Sequence, residues 1–305
     1  MLVSILINNY NYGNYLKSAI DSALAQTYSP VEVIVVDDGS TDDSQDIILS
    51  YGSQVIPILK ENKGQASAFN VGFAASKGEI ILFLDADDFF LLDKVAKIVN
   101  LFHKNSSIGF IFHELKYVDE YKNLLEMSEK QSIQTQIVDF RQHFQEGKKF
   151  KYSVPCGLCF RRFLLEKILP MPEAETVTLS DNYLKYAALG LSRGMFLADK
   201  LAVQRIHSSN IYTFRKDTQE LKAQISIKTG YYLKNNFPQI SLFADKIFAR
   251  GFAEMIIYKG IQEAIKIKEV KKYPEFHFSI KNKLFLLPRV TYHLLRTFLA
   301  NLTTK

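Results

Sequence analysis

Three short apolar runs near the N-terminus constrain the fold of this chain more than any other feature. They are VSILI (3–7), VEVIVV (31–36) and EIILFL (79–84), with a weaker run, QVIPIL, at 54–59. Such continuously apolar, β-branched runs are typical of strands buried on both faces, as in a parallel sheet. Segments with helical spacing of apolar residues lie between them, at 14–26, 40–52 and 64–78. Strand alternating with helix predicts a doubly wound, Rossmann-like α/β fold with a mostly parallel central sheet.

Polar residues follow each of the three main runs. NNYN (8–11) follows the first run, DDGS (37–40) follows the second, and DADD (85–88) follows the third. In open α/β sheets, ligands bind beyond the carboxyl ends of the strands. Burying an unpaired carboxylate costs several kcal/mol, so the acids at this edge need solvent, a basic side chain or a metal ion as a partner. The sequence therefore predicts a ligand-binding rim.

Asp85 and Asp87 are two residues apart at a strand end, so that their side chains point the same way and can reach one cation. Oxygen ligands suit Mg²⁺ or Mn²⁺, which keep some waters and bridge to substrate phosphates. A solvated acidic turn is the alternative, but the position after a buried strand and beside DDGS favours the cation. Such an ion stabilises the charge on a departing diphosphate.

The other rim residues suit a nucleotide. Asp38 or its neighbour Asp37 could accept a hydrogen bond from a base, and Tyr10 could stack on the base. The sequence has no G-x-G-x-x-G after the first run and no G-x-x-x-x-G-K-S/T, which argues against dinucleotide hydride transfer and P-loop phosphotransfer.

Five stretches of the chain occur in an order typical of one enzyme family. They are ILINNYNYGNYLKSAIDSALAQTY, VEVIVVDDGSTDDS, ENKGQASAFNVGFAASKGEIILFLDADD, LSDNYLKYAALG and RIHSSN. Together they resemble the successive motifs of inverting family 2 glycosyltransferases of the GT-A fold, over residues 2–212. The run at 31–90 is the most specific part of this resemblance.

The resemblance implies roles for the rim residues. Asn8, Tyr10 and Asp38 would hold the nucleoside of the donor, and Asp37 would support their loop. The D-x-D element would contact the ribose, the diphosphate and a Mn²⁺ or Mg²⁺ ion; it consists of Asp85, Ala86 and Asp87, with Asp88 as a weaker candidate.

The family's catalytic base opens a helix after the acceptor loop, and the matching residue here is Asp181 in LSDNYL. The acid that usually precedes the base is replaced by Ser180. A base at this position would take the proton of the acceptor hydroxyl while the sugar is attacked from the face opposite the diphosphate, which inverts the anomeric centre. The alternative is that Asp181 only caps its helix.

Further positions match the family in part. His207 in RIHSSN matches a histidine that contacts the diphosphate or the metal, although a lone histidine is more often structural. Asn70 matches the family's N-x-G, but Phe69 stands where an arginine is common. If that arginine aids the diphosphate, Lys63 or Lys77 would have to supply the charge.

The two cysteines, Cys156 and Cys159, have C-x-x-C spacing. No second pair completes a four-ligand zinc site, so buried packing thiols are favoured. With so few cysteines, and with the chain opening on a strand and lacking a basic leader, a cytoplasmic location is expected.

Charge divides the chain into two parts. Residues 200–305 hold 19 Lys and Arg against 7 Asp and Glu, whereas residues 1–199 hold 19 against 25. We predict a catalytic domain at 1–215, with a nucleotide-binding half at 1–100 and an acceptor-binding half at 101–215, followed by a basic, mostly helical region at 216–305. That region could contact an anionic membrane, pack on the catalytic domain or form a dimer.

The leading functional hypothesis is sugar transfer from a nucleotide-diphosphate donor, UDP-linked, to a carbohydrate or lipid-linked acceptor in cell-surface polysaccharide or glycan synthesis. A non-catalytic nucleotide-sugar or glycan-binding module is the alternative, because Ser180 and Phe69 depart from the family pattern. Nucleotidyl transfer ranks last, since it would need a glycine-rich basic loop after the first strand. No nucleic-acid partner is expected.

Overall fold

A computed structural model describes residues 1–126, 133–148, 157–173, 179, 181–208, 218–273, 288, 290–292 and 294. Its strands are β1 (Val3–Asn9), β2 (Val31–Asp37), β3 (Ile56–Leu59), β4 (Ile80–Asp85), β5 (Phe89–Phe90), β6 (Phe110–Asp119), β7 (Gln136–Val138), β8 (Gly157–Arg161) and β9 (Gly194–Ile206). Its α-helices are α1 (Gly13–Leu24), α2 (Ser44–Ser50), α3 (Gln65–Ala75), α4 (Lys94–Lys104), α5 (Arg141–Gln145), α6 (Arg162–Ile168), α7 (Asp181–Leu191), α8 (Thr218–Asn236), α9 (Ser241–Lys259), α10 (Ile261–Ala264) and α11 (Lys268–Lys272).

All nine strands belong to one sheet. Its order is β3-β2-β1-β4-β8-β6-β9-β5, and β7 pairs with β9. The first four strands in this order are parallel, and β6 is parallel to β9, whereas β8 runs antiparallel to both of its neighbours. The predicted α/β fold with a mostly parallel sheet is therefore confirmed.

The parallel strands form the buried centre of the sheet. Val3, Ile5 and Ile7 of β1 are fully buried and belong to a core that also takes in residues of α1, α4 and β4. Burying a side chain of this kind contributes about 1.5–3 kcal/mol. This packing fixes the register of β1, which places Asn8 opposite Asp85 of β4 and Asn9 opposite Asp37 of β2.

Parts of the fold are not evident from the apolar pattern of the sequence. The polar stretch at 117–150 contains the end of β6, strand β7 and helix α5. The segment MFLADK (195–200) belongs to a 13-residue strand, β9. Its polar residues hide it from pattern analysis, and its pairing with β6 shifts register at two places between His113 and Leu115.

The chain divides into two compact units. The first comprises Met1–Phe140, Lys151–Glu175 and Leu184–Ser208, and the second comprises Arg141–Phe150, Thr176–Tyr183 and Ser209–Lys305. The domain boundaries predicted at 100 and 215 stay predictions.

The second unit is helical where it is described. Its core contains Phe248 and Tyr273, whose stacked rings lie 3.6 Å apart. The buried carboxylate of Asp245 accepts hydrogen bonds from Tyr273 Oη at 2.6 Å and from Lys234 Nζ at 2.8 Å. None of the helices within the described ranges is long and apolar enough to cross a membrane.

Cys159 is a fully buried, unbonded thiol on β8. Burial raises its pKa to about 11, so that it is an inert packing residue, as predicted. Cys156 lies outside the described residues.

Candidate active site

The carboxyl ends of β1, β2 and β4 meet at one edge of the sheet, which we call the rim. The backbone links them, because the Asn9 carbonyl accepts from Asp38 N at 2.9 Å and the Asn8 carbonyl accepts from Ala86 N at 3.2 Å. The three polar segments that the sequence placed after these strands therefore lie side by side.

Asn8 presents an unsatisfied amide at this rim. Among the residues that the structure describes, neither its Nδ2 nor its Oδ1 atom has a hydrogen-bond partner, although both atoms are buried. Buried polar side-chain atoms in native proteins are bonded in the large majority of cases. The amide of Asn8 is thus arranged for a partner that the described residues do not provide.

Asp37 supports the loop that follows β2. The residue is fully buried, and its carboxylate accepts from Asn9 Nδ2 at 2.8 Å, from the Ser40 backbone N–H at 2.9 Å and from Gln45 Nε2 at 3.1 Å. A carboxylate with three donors needs no ligand. Its contacts fit the supporting role that the resemblance implied.

Asp38 is engaged by a second loop. Its Oδ1 accepts from the Lys63 backbone N–H at 3.0 Å and from Lys60 Nζ, and its Oδ2 accepts from Gly64 N at 2.6 Å. Both oxygens therefore hold the loop at 60–64. The side chain of Lys63 is exposed beside this carboxylate, and Lys60 is a rim cation that the sequence analysis missed.

Tyr10 follows the rim asparagines and is 40% exposed. An exposed aromatic ring next to Asn8 leaves a face open for a planar ligand. This geometry suits the base-stacking role that was expected for Tyr10.

The D-x-D residues differ in their exposure. Asp85 is exposed at the end of β4, whereas Ala86 and Asp87 are buried. His207, after the end of β9, lies with its Nε2 3.2 Å from Asp87 Oδ2. The structure thus places His207 against Asp87, two of the three residues predicted to hold a metal, while Asp85 lies two residues before Asp87.

Asp88 turns toward the backbone of β9. Its Oδ1 accepts from Arg205 N at 2.9 Å. Burial raises the pKa of Asp88 well above its usual range, the Asp87 and Asp85 carboxylates add to this, and the Arg205 N–H acts in the opposite direction. A carboxylate that is already bonded to the backbone of β9 has less capacity for a cation, which makes Asp88 the weakest of the predicted metal residues.

Arg205 and an aromatic cluster adjoin His207. The His207 ring centroid lies 4.4 Å from that of Tyr15 and 5.6 Å from that of Tyr12, and the guanidinium of Arg205 lies 4.7 Å from the Tyr15 ring. Arg205 is buried and was not predicted as a site residue. Its spacing of two from His207 on a strand end was the signal that could have identified it.

These side chains can be tested for their fit to a divalent cation. In the described part of the chain, no cluster of three or more His, Cys, Asp or Glu side chains is arranged to hold a metal by itself. Asp85 nevertheless supplies an exposed oxygen donor, and Asp87 and His207 supply buried oxygen and nitrogen donors that lie 3.2 Å apart. This set fits an Mg²⁺ or Mn²⁺ ion that takes its other ligands from water and donor phosphates, not one enclosed by protein.

Asn70 is held by another loop of the same unit. Its Oδ1 accepts from Met171 N at 2.6 Å, and its Nδ2 donates to the Met171 carbonyl at 2.8 Å and to Glu173 Oε1 at 3.2 Å. The side chain predicted to contact the donor is therefore used to fix the segment after α6.

Two positions are unsuitable for a cationic side chain that would bind the diphosphate. Phe69 is buried and packs against Phe83 at 4.7 Å between ring centroids. Lys77 follows α3 and precedes β4, so it lies at the end of β4 opposite Asp85. Of the two lysines proposed to replace the missing arginine, only Lys63 is at the rim.

A buried basic pair lies in the same unit. Lys94 is fully buried with its Nζ 3.3 Å from the centroid of the Phe90 ring, and burial lowers its pKa to about 8. Burial also lowers the pKa of His113 well below its usual range, and the nearby Lys94 adds to this. Neither residue was predicted as buried.

The predicted base, Asp181, is the first residue of α7. It belongs to the second compact unit. Ser180 lies outside the described residues. The start of a helix, as predicted from LSDNYL, is thus observed, while the choice between base and cap stays open.

Solved structures with the same architecture define the class of protein. Staphylococcus aureus TarS 1–349, in complex with UDP-GlcNAc, is 18% identical with a TM-score of 0.60, over 96% of this chain and 80% of that one. Mannosyltransferase PcManGT from Pyrobaculum calidifontis, in complex with GDP-Man and Mn²⁺, is also 18% identical with a TM-score of 0.55, over 98% and 84%. The fold is the GT-A transferase fold with added C-terminal helices. The chain spans 46% of the longer TarS structure that it matches.

The chain belongs to glycosyl transferase family 2, whose family model matches residues 4–169. An uncharacterized glycosyltransferase of Nostoc sp. is 35% identical over 244 residues, which are 78% of this chain and 76% of the relative. The Escherichia coli UDP-Glc:alpha-D-GlcNAc-diphosphoundecaprenol beta-1,3-glucosyltransferase WfaP is 42% identical over 97 residues, only 31% of this chain and 39% of WfaP. The protein is therefore a glycosyltransferase. Asp181 and His207 lie beyond the range that the family model matches.

Proposed function

We propose that this glycosyltransferase moves a sugar from a nucleotide-diphosphate donor, UDP-linked, to a hydroxyl of a carbohydrate or lipid-linked acceptor with inversion of the anomeric centre. The observation that carries the proposal is the buried, unsatisfied amide of Asn8, which lies opposite Asp85 in the sheet register. A nucleoside or ribose presents donors and acceptors that would satisfy this amide.

The choice of donor and acceptor is supported by similar proteins. TarS was solved with UDP-GlcNAc, and WfaP is named for UDP-Glc and a diphosphoundecaprenol-linked acceptor. These names support a UDP-sugar and a lipid-linked acceptor for this chain, in cell-surface polysaccharide or glycan synthesis. The expected cytoplasmic location and a peripheral contact with an anionic membrane are part of this proposal.

The donor would be held by rim residues with distinct tasks. The Asn8 amide would bond the nucleoside, and the Tyr10 ring would stack on the base. Asp37 and Asp38 would act indirectly, by holding the loops around the nucleoside. Lys63, whose side chain is exposed beside Asp38, would supply positive charge for the diphosphate.

Asp85, Asp87 and His207 would hold a Mn²⁺ or Mg²⁺ ion. When bound, such an ion supplies stabilisation of the negative charge that develops on the departing diphosphate. The donor set in this chain suits that task because it leaves coordination positions for phosphate oxygens.

Asp181 would act as the general base. The acceptor oxygen forms a bond to the anomeric carbon while the bond from that carbon to the diphosphate oxygen breaks, and the acceptor proton passes to the Asp181 carboxylate. The nucleoside diphosphate leaves with the bonding electron pair. One displacement of this kind inverts the anomeric centre.

A panel of nucleotide sugars tests the proposal. The full chain is incubated with each donor and a polyprenyl-diphosphate-linked sugar acceptor, with Mn²⁺ or with EDTA, and nucleotide release and glycolipid product are measured. We expect one UDP-sugar to support Mn²⁺-dependent transfer, and Asp181→Asn to reduce kcat at least ~100-fold with donor binding retained.

Asp199→Asn is a matched control, because Asp199 is an exposed carboxylate seven residues before the end of β9. It should leave transfer unchanged. Full activity in Asp181→Asn would exclude it as the base, and donor binding without transfer to any acceptor would favour a non-catalytic binding module.

A further inference from the structure

The helical unit exposes large apolar side chains in the segment 258–272. Tyr258 is in the last turn of α9, Ile261 begins α10, and Ile265 directly follows α10; they are 43%, 49% and 41% exposed. Ile265 N donates to the Ile261 carbonyl at 3.1 Å, so the two isoleucines lie one helical turn apart on one face. Ala264 between them is buried and points into the core.

Lysines accompany these apolar side chains. The segment 258–272 contains five lysines and two glutamates. Lys259 pairs with Glu220 at 2.8 Å and Lys266 pairs with Glu263 at 2.5 Å. Even with both glutamates counted, the segment has a net charge of +3.

The remaining lysines of the segment share one face of α11. Lys268, Lys271 and Lys272 are exposed and have the three- and four-residue spacing of a single helix face, whereas Glu269, Val270 and Tyr273 are buried. Within the described part of the chain, these three lysines form no ion pair. The segment thus combines exposed apolar groups with uncompensated positive charge.

We propose that Tyr258, Ile261, Ile265, Lys268, Lys271 and Lys272 form a docking surface for an anionic lipid bilayer. Apolar side chains flanked by lysines bind at the boundary of headgroups and acyl chains, and the lysines attract anionic lipid. A second copy that docked through the same surface would bring the same positive charge against it. Charge complementarity therefore favours lipid as the occupant.

This inference rests on the proposed function for its purpose, since a lipid-linked acceptor is presented at a bilayer. An enzyme docked through 258–272 would find its lipid-linked acceptor by diffusing along the bilayer surface, and not through the whole solution. The docking itself requires neither donor nor acceptor, so it can be tested separately from sugar transfer.

The test is co-sedimentation of the full chain with vesicles of phosphatidylcholine alone or mixed with phosphatidylglycerol, at low and high salt. We expect binding to the anionic vesicles only, weakened by salt. Each lysine near such a surface contributes a factor of roughly five, so the triple variant Lys268→Gln, Lys271→Gln, Lys272→Gln should lose at least ~10-fold in partitioning. The double variant Ile261→Ser, Ile265→Ser should lose binding while keeping its cooperative thermal unfolding.

A control triple variant removes three exposed lysines from the first unit, Lys17→Gln, Lys104→Gln and Lys116→Gln. It should bind vesicles nearly as the unmodified chain does. Equal loss in both triple variants, or no binding of the unmodified chain at low salt, would overturn the proposal. Self-association that depends on Ile261 and Ile265 without vesicle binding would also overturn it, in favour of a dimer surface.

UDP binding is measured on the same samples. All variants should keep it, because the substituted residues are outside the rim. Vesicle binding without UDP binding would contradict the proposed donor but not the docking surface. UDP binding without vesicle binding would contradict the docking surface but not the proposed donor.

Discussion

Asn8 and Asn9 are neighbours at the residue scale, but their side chains have different tasks. Asn9 Nδ2 donates to Asp37 at 2.8 Å and contacts Ser40 Oγ at 3.1 Å. The Asn8 amide atoms have no partner among the described residues. The first side chain maintains the fold of the rim, and the second is available to a ligand.

Two alanine variants test this division. Asn9→Ala removes a donor from the buried Asp37 carboxylate, so we expect the free energy of unfolding to fall by about 1–3 kcal/mol. Asn8→Ala breaks no side-chain hydrogen bond to a described residue and should leave this free energy nearly unchanged, but it should weaken UDP binding about 5- to 10-fold. Urea unfolding and titration calorimetry on both variants measure the two effects. Loss of stability in Asn8→Ala with unchanged UDP affinity would assign it a structural role.

Lys94 predicts a pH dependence of stability. Burial lowers its pKa from 10.5 to about 8 in the folded protein, so between these values the unfolded chain binds more protons. The free energy of unfolding therefore increases with pH across this window, because the cost of the buried charge is complete below pH 8 and is relieved above it.

The variant Lys94→Met removes this cost. We expect it to be more stable than the unmodified chain at pH 7, and this advantage should shrink by about 2–3 kcal/mol by pH 10. Urea unfolding at a series of pH values measures it, with the exposed Lys104→Met on the same helix as a control. An advantage that stays constant with pH would show that the pKa of Lys94 is not lowered in the folded protein.

At the element scale, Asn70 connects helix α3 to the segment that follows α6. Its two bonds to the Met171 backbone and its bond to Glu173 join parts of the chain about a hundred residues apart. Asn70 therefore fixes the segment after α6 within the first unit.

The variant Asn70→Ala tests this role. We expect the free energy of unfolding to fall by about 1–3 kcal/mol, since the Met171 backbone groups lose their partner, and the KM for donor to change little, since the Asn70 amide is used within the chain. Steady-state kinetics and urea unfolding measure this, with the exposed Asn100→Ala of α4 as a control. A raised donor KM with unchanged stability would instead support direct donor contact.

The sequence was most informative where elements are continuously apolar. The runs that became β1, β2 and β4 predicted both the strands and the rim that follows them, because strands buried on both faces have few polar residues. It was less informative for β9, where Asp199, Lys200 and Arg205 interrupt the apolar pattern, and pairing with β6 provides the stability.

Tertiary packing is a second reason why some features could not be predicted from the sequence. Lys94 is fully buried although a lysine is expected on the exposed side of a helix, and the ring of Phe90 accounts for part of its placement. The partners of Asn70 are equally hidden from local patterns. Contacts of this kind depend on tertiary packing and not on the spacing of residue types.

At the scale of the whole molecule, family membership and the residues of the rim both support glycosyl transfer. The family model covers the segment that contains Asn8, Asp38 and the D-x-D residues. The basic C-terminal helices add the proposed contact with a bilayer. In this proposal the rim binds the donor, and the C-terminal helices bring the enzyme to the bilayer that presents the acceptor.

Titration calorimetry of UDP, with GDP in parallel, tests the central claim that this rim binds a nucleoside diphosphate together with a divalent cation. We expect UDP to bind at least ~10-fold more tightly with Mn²⁺ than with EDTA, since the diphosphate and the carboxylates share the ion. The double variant Asp85→Asn, Asp87→Asn should lose this Mn²⁺ dependence, and Asp199→Asn should keep it. Equal affinity with Mn²⁺ and EDTA, or no binding of either nucleotide, would contradict the account.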